Sequence, residues 1–189
     1  MPEIKQFPKT RVAYLEIVGP YGTATVQGFD DLFKWLDASG VQPMGAPIGI
    51  YYDDPAKTAP EKMRADMCVP VALNVQGTGK VKVKDIGGIE VATILYQGEP
   101  NIQPAYDQVY QWLRAQGYHE SGAPIETYFS HPPEEMRGEV AVPIVKMGLL
   151  AAPIKRVVKK PAKKAVKKAT KKVAKKKVAK KPAKKKSKK

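Results

Sequence analysis

One phrase is written twice in this chain, as GAPIGIYYDDP at residues 45–55 and as GAPIETYFSHP at 122–132. The match extends in both directions. FDDLFKWLDASG (29–40) returns as YDQVYQWLRAQG (106–117), PEKMRADMCVPV (60–71) returns as PEEMRGEVAVPI (133–144), and VAYLEIVG (12–19) faces VATILYQG (91–98). A repeat of this kind limits the fold more than composition can, because both copies have to fold into the same unit.

Each copy spells the same series. An alternating, β-branched segment (12–18 and 91–96) predicts a strand. A helix follows, with Phe29, Leu32, Phe33 and Leu36 forming one apolar stripe, matched by Tyr106, Val109, Tyr110 and Leu113. Gly40 and Gly117 supply the left-handed residue that stops each helix, and Pro104 suits the first turn of the second. Two more strands then complete a βαββ unit. The expected fold is therefore α+β, a tandem duplication of βαββ modules about a pseudo-twofold axis, with copies at about 10–75 and 89–145 and a linker over 76–88. One helix covers one face of a three-stranded sheet. Two such units set their open faces together or join edges, and either way leave a cleft between them.

Charge divides the chain elsewhere. Of 33 basic residues about 20 lie from Lys155 onward, where no acid occurs, while all 18 acidic residues precede them. The body is thus mildly acidic, and the segment 154–189 reads as a separate, disordered Lys-rich tail that cannot bury enough apolar surface to fold. Its lysines, among them Lys159, Lys160, Lys163, Lys164, Lys167, Lys168, Lys171, Lys172, Lys175 and Lys176, are candidate phosphate contacts. No aromatic residue interrupts them to stack on bases, so binding to DNA would be nonspecific, and RNA is not distinguished from DNA. The tail lacks the bulky apolar residues that an interfacial helix inserts, and no run is long enough for a membrane span. With Cys68 the only cysteine, a reducing compartment is expected, and the chain reads as cytoplasmic and nucleoid-associated.

Positions kept in both copies serve the fold; positions that differ are free to serve one site. The sharpest difference is Glu126 against Gly49. Side chains two apart in a strand share a face, so Glu126 points with Tyr128 and Gly49 with Tyr51. If Ile48 and Ile125 meet the helices, the opposite face presents a carboxylate and two phenols, with an empty place at Gly49. Such a face suits a flat apolar or cationic compound. The alternation alone equally allows Glu126 to stand in water on an exposed sheet face. Tyr14 and Trp112 complete the candidate ligand contacts. His119, His131 and Cys68 lack metal-ligand spacing, so neither metal nor cofactor is expected.

The phrases VAYLEIVGPYG, GIYYDDPAKTAPEKMRADMCVPV and IETYF resemble the GyrI-like small-molecule-binding family, which includes DNA gyrase inhibitors and the effector-binding domains of AraC-type and BmrR-type regulators. The resemblance spans about Glu3 to Val145, within a domain taken as 1–153. It implies a GyrI-like, SHS2-type pair of βαββ modules, a ligand pocket between them, Glu126 as the pocket glutamate and DNA gyrase as a candidate partner. It also implies that, in a hydrolase reading, Glu126 would activate water or protonate a leaving group while Tyr128 donates a hydrogen bond. Binding of an amphipathic or cationic small molecule is the leading expectation, with the tail as a tether to DNA; the alternatives are a nucleoid-associated or gyrase-modulating protein whose body binds another protein, and the hydrolase of electrophilic small molecules.

Overall fold

The computed structural model describes residues 1–98, 102–130 and 135–148. The Lys-rich tail and the ten lysines assigned to it lie outside these residues, as does His131. Nine strands and two helices follow in the order β1 (Glu3–Phe7), β2 (Thr10–Val18), α1 (Tyr21–Ser39), β3 (Ile48–Tyr51), β4 (Arg64–Pro70), β5 (Lys82–Ile86), β6 (Ile89–Gln97), α2 (Gln103–Ala115), β7 (Tyr118–Glu120), β8 (Ile125–Ser130) and β9 (Arg137–Lys146). The helices end as the glycines predict: Gly40 closes α1 at φ 64°, and Gly117 stands at φ 77° just past α2.

The units join by their edges. Eight strands run in the order β1-β6-β9-β8-β3-β4-β2-β5, all neighbours antiparallel, and β7 adds to β9. The central seam pairs β3 with β8, so β3, β4 and β2 lie on one side in the same sequence as β8, β9 and β6 on the other. Two strands depart from the expected linker and N-terminal segment. Lys82–Ile86 forms β5 and pairs with β2, while Glu3–Phe7 forms β1 and pairs with β6. Each strand therefore completes the edge opposite to the strand that follows it in the chain. Because β1 leads into β2 and β5 into β6 by short turns, the two edges must approach each other. They meet where the Gly88 N–H donates to the Phe7 carbonyl at 2.8 Å, so the sheet is curled.

Curling gives the sheet two buried faces. On the inner face Ile48, Ile50 and Ile125 pack with Phe7, Val12, Cys68, Val91 and Ala141. On the outer face Leu32 and Leu36 of α1 cover Ala13, Leu15, Val69 and Val71 of the β2/β4 side. Val109 and Leu113 of α2 cover Ala92, Ile94, Val140 and Val142 of the β6/β9 side. This corrects the expected orientation: Ile48 and Ile125 do not meet the helices but the interior of the curl. The alternation fixed which residues share a face; the helices lie on the face that Glu126 and Tyr128 share. Since α1 sits over β2 and β4 and α2 over β6 and β9, the middle strands β3 and β8 remain as an open floor between two helical walls.

Candidate functional site

Above that floor lies a cavity of about 1410 Å³. Its walls are residues spaced by three and four along each helix, Thr25, Phe29 and Phe33 from α1 and Gln103, Tyr106, Tyr110 and Arg114 from α2, while Tyr51, Glu126 and Tyr128 form the base. Glu126 is only 7% exposed. Its two carboxylate oxygens each accept a phenol hydrogen bond, from Tyr106 and from Tyr128, both at 2.6 Å. The single proton of Tyr128 is thereby committed, so it is Tyr51 that donates across the 2.5 Å contact between the Tyr51 and Tyr128 hydroxyls. Three phenols thus orient one carboxylate.

Burial raises the pKa of Glu126, and the hydrogen bonds from Tyr106 and Tyr128 hold part of that rise back. The same burial, reinforced by the Glu126 charge, raises Tyr51, Tyr106 and Tyr128, which keeps them protonated donors. Tyr96, also on the cavity, is pushed to about 12 for the same reasons. Among the described residues no lysine, arginine or histidine forms an ion pair with Glu126. Two rim carboxylates do have partners: Asp53 bonds to Arg64 and Asp54 to Lys57.

The ring contacts tie walls to floor. Tyr21 meets Tyr51 edge-on at 4.8 Å between centroids, Phe29 meets Tyr128 edge-on at 5.6 Å, and Tyr106 stacks on Tyr110 at 6.2 Å.

Of the residues singled out from sequence, the fold brings Glu126, Tyr128 and Tyr51 together. Gly49 is not the expected vacancy: a Cβ there would stand 2.6 Å from Cε2 of Tyr51, so the Tyr51 ring already lies across the glycine. Tyr14 is turned away from the cavity, since it shares a face with Val12 and pairs with Cys68 on the inner side of the curl. Trp112 lies two residues past Tyr110, on another side of α2 from the Tyr106–Tyr110 row, and packs against the core beneath the helix. Tyr106 was missed, being read as part of an apolar stripe. Its signal was the change from Phe29 to Tyr106 between the copies, which adds one hydroxyl. No helix among the described residues is long and apolar enough to cross a membrane.

The DNA gyrase inhibitor of Salmonella arizonae is 32% identical over 139 residues, 70% of this chain and 89% of that protein. The crystal structure of the EcmrR C-terminal domain superposes with a TM-score of 0.68 at 18% identity, covering 78% of this chain and 98% of that one. SAV2435, solved bound to tetraphenylphosphonium, has the same fold at a TM-score of 0.50 and 13% identity, covering 79% and 95%. The model of the GyrI-like small molecule binding domain matches residues 1–145, a span that takes in both walls and the floor of the cavity, and the chain belongs to that family.

Proposed function

We propose that the cavity between α1 and α2 captures an amphipathic cation, with Glu126 as its counter-charge and the aromatic walls as its apolar contacts. The observation that carries this reading is a buried carboxylate at the base of an aromatic cavity with no cationic side chain paired to it. Burial of an unpaired charge is costly, and a bound cation relieves that cost. Both carboxylate oxygens already accept a phenol hydrogen bond. The ligand is therefore recognised through its charge and through ring faces more than through N–H donors.

Glu126→Gln should weaken binding of tetraphenylphosphonium about 30-fold, the equivalent of ~2 kcal/mol, in isothermal titration calorimetry. For the unaltered chain, affinity should fall as pH drops. A protonated Glu126 offers no counter-charge, and its raised pKa places the fall above the ordinary glutamate value of about 4.3. The variant's affinity should not change over that interval. Equal affinities for both proteins at neutral pH would remove Glu126 from the site.

The two halves are read as products of a tandem duplication, and the Lys-rich tail as a nonspecific tether that holds the ligand-binding body on DNA. Deleting Lys155–Lys189 should abolish retention on DNA and leave ligand affinity unchanged. With ~8 phosphates neutralised, DNA affinity of the full chain should fall with salt at a log-log slope near −7. Retention that survives the deletion would assign DNA binding to the body instead. A gyrase-directed role draws support from the name of the relatives. Its measurement is supercoiling inhibition by the tail-free body, since a polylysine segment perturbs such assays by itself.

A further inference from the structure

We infer that the cavity prefers compounds whose positive charge lies at their centre, between two apolar arms, over isomers that carry the charge at one end. This rests on the cation-binding reading above and adds a rule of shape to it. The seam between β3 and β8 pairs Gly49 with Glu126, which are also counterparts in the two copies of the sequence. The backbone obeys the same relation, since the Tyr51 N–H donates to Pro124 O and the Tyr128 N–H to Pro47 O. Residues 77 apart therefore exchange places across an approximate twofold axis through the seam.

The axis fixes where the charge is. Tyr51 and Tyr128 are counterparts, and their hydroxyls touch at 2.5 Å, which puts both at the midline. The Glu126 carboxylate is 2.6 Å from one of them. One carboxylate thus stands within a hydrogen bond of the axis, although only one half supplies it. The lining repeats on both sides of it: Phe29, Asp30 and Phe33 from α1 are matched by their counterparts Tyr106, Asp107 and Tyr110 from α2. A ligand with a terminal charge can satisfy Glu126 only by laying its whole apolar body against one wall, leaving the other wetted. A centrally charged ligand of equal size buries an arm against each, and buried apolar area sets the difference.

Two constitutional isomers test the rule without changing charge or atom count: dibenzyldimethylammonium, charged at its centre, and (biphenyl-4-ylmethyl)trimethylammonium, charged at one end. Titrated into the full chain by calorimetry, the dibenzyl isomer should bind about tenfold tighter. Phe33→Ser and Tyr110→Ser should each weaken it by a similar factor, because each strips one wall. Equal affinities, or a preference for the biphenyl isomer, with Glu126→Gln still weakening both, would overturn the central-charge rule and leave cation binding in place. Affinities indifferent to Glu126→Gln, or no binding of either isomer, would overturn the cation-binding reading and this rule with it.

Discussion

A Gly49→Glu variant, which makes the two copies agree at this position, is expected to lose about 3 kcal/mol of folding stability. The added Cβ would stand 2.6 Å from Cε2, 2.9 Å from Cζ and 2.9 Å from Oη of Tyr51. The ring cannot retreat freely. It is 9% exposed, wedged edge-on against Tyr21, and its hydroxyl is bonded to Tyr128. Overpacking of this kind costs about 1–3 kcal/mol. The second carboxylate then lies in the cross-strand pair directly opposite Glu126, where like charges repel by up to about 1 kcal/mol. Gly49→Ala isolates the steric part and should cost roughly 2 kcal/mol. Urea unfolding at neutral and acidic pH separates the two contributions, because acid neutralises the carboxylates and leaves the clash. A stable Gly49→Glu variant would mean that Tyr51 is not held over the seam.

That expectation gives a physical reason why the repeated phrase changes one letter. Gly49 and Glu126 form the one pair of the β3–β8 seam in which a residue's counterpart is also its cross-strand partner, so a glutamate in both copies would be a pair of buried carboxylates. One copy carries the charge; the other carries a glycine over which its own tyrosine folds. The difference between copies was legible in the sequence, and so was the grouping of Glu126 with Tyr128 and of Gly49 with Tyr51. Two consequences were not. A glycine in a strand admits a neighbouring ring as readily as a ligand, and strand alternation tells which residues share a face without telling which face a helix will cover.

The repeat predicted the helices, their stops and the three inner strands of each half. It missed β7, a three-residue strand on β9, and it missed β1 and β5 because EIKQF and KVKDI are short and half polar, and lie outside the copies. Neither has a local reason to be a strand. Each is extended because it pairs along a strand of the opposite half, a long-range condition that overrides weak local propensity. Tyr14 and Trp112 stay off the cavity for a related reason: residue type made them plausible, but Tyr14 stands on the other face of the sheet and Trp112 packs against the core beneath α2.

An ion pair fastens each of those strands to the opposite half, and at the first of them Asp66→Ala should cost about 3 kcal/mol. Asp66 lies on β4, 5% exposed, with its carboxylate bonded to the Lys84 ammonium from β5 and accepting the Tyr52 O–H at 2.6 Å. Lys84 also sits 4.2 Å above the Tyr14 ring. Removing the acid leaves a half-buried ammonium without its partner and a phenol without its acceptor, whereas replacing both charges by apolar groups leaves no unpaired charge, only the phenol of Tyr52, an exposed residue that water can reach. The double variant Asp66→Leu with Lys84→Met should therefore recover most of the loss, which urea unfolding of Asp66→Leu, Lys84→Met and their combination measures as a double-mutant cycle. The other half carries the counterpart, Lys5 of β1 on Glu139 of β9 at 2.5 Å, but Phe129 stands where Tyr52 does and Lys5 is 39% exposed. Glu139→Ala should accordingly cost less, about 1–2 kcal/mol. Equal losses at the two sites would deny Tyr52 its part. A loss under about 0.5 kcal/mol at Asp66 would leave β5 held by its backbone ladder alone. If the ordering holds, each half of the sheet is pinned by a strand that leads into the other, and the walls of the cavity keep their spacing because neither half can shift without breaking an ion pair to a buried carboxylate.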